Sequence, residues 1–383
     1  MVSYEHLPHL SVGSLDDKVY TLNVPMIGSA YKNRKNSPEE ELLMANAMEE
    51  IFEKYNQTIL VHRKVRELLF EGYEDQLLVI AKGMGWSPVQ RFGYQIGRNN
   101  SDDGVYTIYT GAEGMDKYGI IESWEGKKRV PGFRKSCGFV NGTTGEMWPP
   151  YTLTNQTRLI FFVAPICRSL QLDFLRNETV KEIRVLRYHL NQRLFNYSFE
   201  ENQCFCTKKK GKDLECVPNG MLDLNRCQPD APLTASLPHQ LYSTPTVSKA
   251  VDGLAPDPEL HDFFMDVEPT MGIPLRVSAR LQMNVVVDSF RYFEQFAVFK
   301  EKLFLPTFWI ETTATVNDEL AFKIRLVTED LANYVTLASF AWVLMGLIII
   351  ICTLGYIISH TRRSRRPRPS SEYRAVKIIA TTR

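Results

Sequence analysis

The sequence predicts a mixed α+β protein with a large body and one membrane helix near its C-terminus. Three observations support this prediction: a capped amphipathic helix pattern at residues 37–55, strand-like runs between residues 104 and 316, and an uncharged apolar stretch at residues 335–358. The chain has 383 residues, of which 44% are hydrophobic and 23% charged, so it can bury a sizeable core and has the composition of a folded protein.

Residues 37–55 form the clearest helical pattern before the apolar stretch. Ser37 can cap this helix, Pro38 takes its first position, and three glutamates follow at the positive end of the helix dipole. Glu49, Glu50 and Glu53 are assigned to its polar side, and the apolar stripe consists of Met44, Ala47, Met48, Ile51, Phe52 and Tyr55. Residues 64–82 predict two shorter helices broken around Gly72, so we expect a small helical bundle at about residues 37–82.

Strand patterns dominate the chain beyond residue 100. Runs rich in β-branched and aromatic residues occur at 104–111, 158–166, 183–190, 275–287 and 303–316. Apolar and polar residues alternate clearly in RLQMNVVV (280–287), and turns rich in Gly, Pro and Asn separate the runs. Residues 317–334 predict a helix that leads into the apolar stretch.

The apolar stretch at residues 335–358 predicts a transmembrane helix. Its 24 residues can cross a hydrocarbon core of about 30 Å with some tilt. HTRRSRRPR (360–368) follows directly, and the tail from His360 carries eight Arg or Lys and one Glu, whereas the rest of the chain is mildly acidic. The positive-inside rule therefore places the basic tail, 359–383, in the cytosol and residues 1–334 outside the cell or in a lumen. This distribution does not indicate a nucleic-acid partner.

The N-terminal sequence MVSYEHLPHLSVGS has neither a basic n-region nor an apolar h-region, so it predicts no signal peptide or first anchor. A C-terminal anchor alone does not explain how a large luminal body is translocated. We therefore expect that the natural protein begins upstream of Met1.

Six cysteines precede the apolar stretch, and a seventh, Cys352, lies within it. Six cysteines allow fifteen pairings, among which the sequence does not choose. Zinc is the alternative, but structural zinc sites use paired ligands, and this chain has one C-x-C with no His within ten residues of it. The lysines in CFCTKKKGKDLEC (204–216) can lower a thiol pKa, yet disulfides are the simpler interpretation in an oxidising compartment.

Six N-x-[ST] sequons support the same compartment, because all lie in the part predicted to be outside and none lies in the tail. Their asparagines are Asn56, Asn99, Asn141, Asn155, Asn177 and Asn196. We therefore predict an extracytoplasmic glycoprotein body.

Motifs of catalysis are absent from the sequence, which contains no G-x-S-x-G, no H-E-x-x-H and no P-loop. The seven histidines are scattered, so no metal site or cofactor is predicted. The chain is not predicted to be an enzyme, and a membrane-bound hydrolase is the least favoured interpretation.

Many runs of this sequence resemble the class B scavenger receptor family, from about residue 10 to the membrane segment. The runs that carry the resemblance are VRELLFEGYED (65–75), DGVYTIYTG (103–111), NGTTGEMWPPY (141–151), ICRSLQLDF (166–174), VLRYHL (185–190), CFCTKKKGKDLEC (204–216), GMLDLNRCQPDAPLTASLPHQLYSTP (220–245), DGLAPDPELHDFFMDVEPTMGIPLRVSARLQMNVVV (252–287) and LPTFWIE (305–311).

The resemblance implies a large irregular antiparallel β-barrel ectodomain with an internal lipid cavity, an apical helical bundle and an anchor at each end of the chain. It also implies three disulfides within a region at 137–227, namely Cys137–Cys204, Cys167–Cys227 and Cys206–Cys216. The family's first membrane helix and opening strands have no counterpart in this sequence.

The function implied by the resemblance is binding and uptake of lipid ligands, such as fatty acids, lipoproteins and oxidised or anionic lipid-bearing particles, with lipid passing through the cavity. Lys54 aligns with a lysine that contacts fatty acids in this family; the alternative is an ordinary solvated helix lysine.

A sorting signal is predicted in the tail, where YRAV (Tyr373 to Val376) has the Y-x-x-hydrophobic form that clathrin adaptors bind. The signal fits the plasma membrane, which we favour, and also the lysosomal membrane. The alternative function is therefore a lysosomal membrane protein that sorts luminal cargo or exports lipid.

Overall fold

The computed structural model describes residues 3–34, 37–208, 214–227 and 231–364. The chain divides into two compact units, Met1–Asn317 and Asp318–Arg383. The first unit is mixed α+β, as predicted, and the described part of the second is helical.

Strands in the described residues are short at the start of the first unit and long towards its end. They are β1 (Lys18–Leu22), β2 (Leu60–Lys64), β3 (Tyr73–Glu74), β4 (Arg91–Phe92), β5 (Tyr106–Ile108), β6 (Ile121–Trp124), β7 (Leu159–Val163), β8 (Arg168–Val180), β9 (Ile183–Leu190), β10 (Thr207–Lys208), β11 (Leu214–Glu215), β12 (Leu222–Asp223), β13 (Leu233–Ser236), β14 (Phe264–Glu268), β15 (Ile273–Val287) and β16 (Leu303–Thr315). The helices of this unit are α1 (Val24–Asn33), α2 (Pro38–Lys54), α3 (Gln76–Gly83), α4 (Pro245–Ser248) and α5 (Pro258–His261).

Helix α2 begins and ends where its sequence predicts. The hydroxyl of Ser37 accepts the amide of Glu40, whose carboxylate in turn accepts the amide of Ser37, which completes a capping box ahead of Pro38. One assignment is wrong: Glu49 does not lie on the wet side, because its carboxylate is partly buried and accepts the amide of Glu294 at 2.9 Å. Burial raises the pKa of Glu49 accordingly.

An antiparallel sheet of eight strands forms the body of the first unit. Its order is β12-β13-β15-β14-β9-β8-β7, and β16 pairs with β15. The strand β15 is long enough to pair with β14 through its first half, with β13 through its second half, and with β16 along most of its length. The sheet is open, since β12 and β7 do not pair with each other, and the predicted closed barrel is not found among the described strands.

The predicted strand runs at 158–166, 183–190, 275–287 and 303–316 all become strands of this sheet. Residues 64–82 differ from the prediction, because only α3 is an α-helix there, and Gly72, at φ 71°, lies between a π-helical turn (Glu67–Glu71) and β3. Helix α1 and the long strand β8 were not predicted from the sequence, although Leu170, Leu172 and Phe174 of β8 alternate with polar residues.

The main core packs on one side of this sheet. Tyr188 is fully buried, and its hydroxyl donates to the carbonyl of Thr154 at 2.9 Å, so the buried polar atom is satisfied. A second core joins α1 and α2 to a cluster of phenylalanines after β15, where Phe52 stacks on Phe293.

Three charged side chains join strands β9, β14 and β15. Asp266 is fully buried; Arg187 donates to its carboxylate through Nε at 2.7 Å and Nη2 at 2.9 Å, and Arg276 donates through Nε at 2.6 Å. Both guanidiniums also lie near the ring of Phe264. The carboxylate therefore holds three neighbouring strands in register.

Up to residue 364, the second unit consists of α6 (Asp318–Arg325), a π-helical turn (Leu326–Asp330) and α7 (Leu331–Ser364). Within the described residues, the helical segment Asp318–Arg363 is the one candidate that is long and apolar enough to cross a membrane. The transmembrane segment predicted at 335–358 lies inside α7, and its assignment as the span remains a prediction.

Replacing Asp266 by Ala should destabilise the first unit strongly. The change leaves two guanidiniums without their buried partner, which costs about 3–5 kcal/mol of unfolding free energy. Thermal unfolding of the full chain in detergent should show a drop of several degrees in melting temperature. Glu113→Ala removes an exposed ion pair with Lys117 and serves as the control, which should melt like the wild type. Equal melting temperatures for the two variants would contradict the assignment.

Candidate functional site

A cavity of about 1640 Å³ lies in the first unit and is lined mainly by apolar side chains. Its walls come from helices α1, α2 and α3, from residues 91–98, and from one face of the sheet. Small-molecule sites usually occupy roughly 300–1,000 Å³. This cavity therefore has room for a ligand larger than a typical cofactor.

Helix α2 contributes the apolar face that its sequence predicts. Met44, Ala47, Met48, Ile51 and Phe52 all line the cavity. These positions recur every three to four residues, so they share one side of the helix. Tyr55, the last member of the predicted stripe, does not belong to the lining described here.

Alternate residues of β15 and β16 form the opposite wall. In the antiparallel register Ala279 lies opposite Thr312, Leu281 opposite Ile310, and Met283 opposite Phe308. Side chains that face each other across two strands lie on the same side of a sheet, and all six line the cavity. From Leu281 to Asn284 the alternation predicted from the sequence therefore becomes an alternation between the cavity and the opposite face of the sheet.

The other face of β15 is polar and tightly bonded. Gln282 donates to the side-chain oxygen of Asn284 at 2.8 Å, and Asn284 donates to the hydroxyl of Ser236 at 3.0 Å. All three side chains are buried, so these hydrogen bonds offset the cost of removing the polar groups from water. Their positions are fixed by one another, which restricts how β15 can move.

Residues 91–98 form a wall segment that is held against the turn before it. The amides of Tyr94 and Gln95 donate to the carbonyls of Leu68 and Leu69 at 2.8 and 2.7 Å. A Cβ at Gly93 would lie 2.9 Å from the Cα of Gly72, so this close approach requires glycine.

The ring of Tyr94 packs in this wall between aromatic side chains, with its centroid 5.1 Å from that of Phe92 and 4.6 Å from that of Phe308. Burial raises the pKa of Tyr94 to about 12, so its hydroxyl stays uncharged at physiological pH. The wall therefore remains neutral at this point.

Basic side chains, but no carboxylate, occur among the described lining residues: Lys32, Arg91, Arg98 and Arg280. Two of them pair with carboxylates outside the lining, Arg98 with Asp103 and Arg280 with Glu311. Arg91 donates to the carbonyl of Gly72 at 2.6 Å. These residues were not predicted from the sequence, because nothing in their local sequence indicates that the fold brings them to one cavity.

Lys54, the predicted ligand contact, lies at the end of α2 and is exposed. It is not part of the cavity lining described here, and its ammonium group lies 5.4 Å from the centroid of the Tyr55 ring. Lys54 is therefore a surface residue about one helical turn beyond Ile51, which does line the cavity, and its contact with fatty acids remains a prediction.

The structure forms three disulfides, Cys137–Cys204, Cys167–Cys227 and Cys206–Cys216. These are the pairs that the family resemblance implies. The third closes the hairpin of β10 and β11 around the lysine-rich loop, whose residues 209–213 lie outside the described part of the chain. Within that part, no group of three potential ligands is positioned to hold a metal ion.

Five of the six sequon asparagines are exposed, and Asn196 is half-buried. Asn141 differs from the others in its surroundings. Its own side chain is exposed, but Thr143 of the same sequon is 1% exposed, and the amide of Thr143 donates to the carbonyl of Ile160 at 3.1 Å. Gly142, at φ 86°, lies against the backbone of Ile160.

The predicted sorting residues Tyr373 and Val376 lie outside the described residues.

Comparison with known proteins gives a consistent set of relatives. The model of the CD36 family matches residues 2–357. The chain is 31% identical over 318 residues to scavenger receptor class B member 1 of Cricetulus griseus, which covers 82% of this chain and 60% of the relative. It is 28% identical over 327 residues to protein peste of Drosophila melanogaster, and this match covers 83% of the chain and 56% of peste. It is 29% identical over 292 residues to sensory neuron membrane protein 2 of Anopheles gambiae, and this match covers 72% of the chain and 49% of that relative. The chain thus spans about half to three-fifths of the length of these relatives.

An open cavity accepts a larger side chain that a packed core rejects. Leu281→Trp should therefore leave the melting temperature of the full chain nearly unchanged, because the indole enters the cavity. Leu172→Trp, at a fully buried core position of β8, is the matched control and should cost about 1–3 kcal/mol through overpacking. If both changes lower the melting temperature equally, the wall at Leu281 is packed and not open.

Proposed function

Because this chain belongs to the CD36 family, we propose that it is a membrane scavenger receptor that binds lipid ligands in the cavity of its first unit. The membership confirms the resemblance to class B scavenger receptors that the sequence indicated. Under this proposal α7 anchors the receptor, and the first unit meets its ligands outside the cell or in a lumen.

The observation that carries this proposal is the size and apolar character of the cavity. An acyl chain gains about 0.8 kcal/mol for each methylene that it buries. A cavity of about 1640 Å³, lined by α2 on one side and by β15 and β16 on the other, can surround a long chain on several sides. We propose fatty acids and the acyl chains of lipoprotein or oxidised lipids as its ligands, and passage of lipid through the cavity as the route of uptake.

The charged groups around the cavity favour an anionic head group. Lys32, Arg91, Arg98 and Arg280 supply positive charge at the described lining, and the carboxylates that pair with Arg98 and Arg280 lie outside it. Lys54 adds an exposed cation near the apolar face of α2. A carboxylate or phosphate on a lipid can therefore be attracted while the acyl chain enters.

We propose that the receptor resides in the plasma membrane, that its exposed sequons carry glycans, and that its cytosolic tail binds a clathrin adaptor for endocytosis. We propose no enzymatic activity. Surface biotinylation of intact cells separates this location from the lysosomal alternative, since a lysosomal membrane protein would be labelled only after permeabilisation.

Photo-crosslinking with a diazirine-bearing fatty acid tests the lipid site in cells that express the full chain. Crosslinks should map to α2 and β15, and Leu281→Trp should weaken them. If the indole displaces two methylenes of the ligand, the cost is about 1.6 kcal/mol, or roughly tenfold in affinity. Val298→Trp, at an exposed position outside the cavity, is the size-matched control and should crosslink like the wild type. Crosslinks that persist at full strength in Leu281→Trp would exclude the cavity as the site.

Lys54→Ala should weaken binding of the same probe by up to about fivefold without changing expression, because one exposed charge contributes modestly to attraction. Lys82→Ala removes an exposed cation from the last turn of the neighbouring helix α3 and is the matched control. Comparison of the crosslinking yields for the two variants decides the role of Lys54: equal yields would show that it is an ordinary surface lysine.

A further inference from the structure

Two histidine rings stack against each other beside the cavity wall. His239 belongs to the turn Pro238–Gln240, and His261 ends α5. Their ring centroids are 4.3 Å apart with an angle of 28° between the planes, and His261 is 7% exposed. Neither residue has a role in the lipid site proposed above.

Each ring accepts a hydrogen bond from the backbone of the segment between them. The amide of Ala255 donates to Nδ1 of His239 at 3.1 Å, and the amide of Asp257 donates to Nδ1 of His261 at 2.9 Å. A backbone N–H can only donate, so both Nδ1 atoms must be unprotonated in this arrangement. We call the two rings with these two amides the histidine clasp.

Protonation is incompatible with the histidine clasp. An imidazolium carries hydrogen on both ring nitrogens, so it cannot accept either amide, and two stacked imidazolium rings would repel each other. The charged groups around the pair are Asp257 of the clasped segment, Arg280 of β15 with its partner Glu311 of β16, and Asp262, which is bonded to Tyr242 and His189.

The balance of these groups favours the uncharged form of His261. Burial, followed by the neighbouring His239 and then Arg280, lowers the pKa of His261, and Asp257 offsets only part of this effect. An opened or unfolded segment therefore binds a proton more readily than the closed one. The free energy that favours the closed clasp is greatest above the ordinary histidine pKa of about 6.5. It decreases as the pH falls below this value.

The clasp is connected to the cavity through its chain neighbours. Leu237 and Phe263, each two residues from a clasp histidine, line the cavity, and so does Trp309, whose ring lies edge-on to His261 at 6.2 Å. The amide of His239 also donates to the side chain of Gln282 at 2.8 Å, in the polar network behind β15. Movement of the clasp therefore displaces parts of one wall.

We propose that the histidine clasp is an acid-opened latch on this wall: protonation releases residues 255–257, loosens the wall at Leu237, Phe263 and Trp309, and speeds the departure of an apolar ligand. The ligand step rests on the proposed lipid-binding function, whereas the opening of the clasp does not. A receptor with this latch would hold its ligand at neutral pH and release it in an acidic compartment.

Hydrogen exchange at the amides of Ala255 and Asp257 tests the opening directly. In the full chain reconstituted in lipid nanodiscs, protection at these amides, corrected for intrinsic exchange rates, should fall about tenfold between pH 7.4 and pH 5.0. In the double variant His239→Asn, His261→Asn the protection should not change with pH, because the asparagine oxygen can accept the amide and does not titrate.

His62→Asn is the control, since His62 stacks on the exposed Tyr20 away from the clasp, and it should behave like the wild type. Equal protection of the wild-type amides at both pH values would overturn the proposal, and so would an equal loss in the wild type and the double variant. If the double variant does not fold, the wild-type comparison decides alone.

The coupling to ligand is measured with the diazirine fatty acid loaded at pH 7.4 and then diluted at pH 7.4 or pH 5.0. Between pH 7.4 and pH 5.0 its dissociation should accelerate about tenfold more in the wild type than in the double variant, because protonation of the probe's own carboxylate affects both proteins equally. Amide opening without faster dissociation would overturn the latch. Failure of the probe to bind at pH 7.4 would overturn the proposed lipid function, and the exchange of the two amides would still decide whether the clasp opens.

Discussion

The pairing of one long strand, β15, with three others organises the first unit. One edge of β15 bonds first to β14 and then to β13, and the other edge bonds to β16 along most of its length. Because side chains alternate along a strand, this single element presents Leu281 and Met283 to the cavity and Gln282 and Asn284 to a buried polar network. A slip of one residue would exchange the two faces and place amides in the cavity, so the pairing also fixes what the cavity can hold.

Polar anchors around this strand support the walls of the cavity. Burying apolar surface favours contraction of an apolar cavity, so its walls need such support. Asp266 joins β14 to β9 and β15 through two guanidiniums, and the network of Gln282, Asn284 and Ser236 holds β15 from behind. On the opposite side the backbone bonds of Tyr94 and Gln95 hold the wall segment 91–98. Rigid supports on both sides keep the space between them open.

Local features of the structure were predictable from the sequence, whereas features made by distant contacts were not. The capping box of α2 and its apolar face depend on residues within five turns, and the alternation in β15 depends on neighbours two apart. The cationic lining depends on Lys32, Arg91 and Arg280, which only the tertiary fold brings to one cavity. The stack of His239 on His261 likewise joins a turn to the end of α5, which the sequence does not relate. Lys54 could be proposed from the family resemblance alone, since its local sequence is that of any solvated helix end.

The surroundings of Asn141 set an order of events during biosynthesis. The transferase that attaches glycans must read the asparagine and the threonine of a sequon together. In the folded chain Thr143 is bonded to β7 and enclosed, so the pair can no longer be presented as an extended peptide. Any sugar at Asn141 must therefore be added before β7 docks. Occupancy at this one site would then record how quickly the sheet assembles in the living cell.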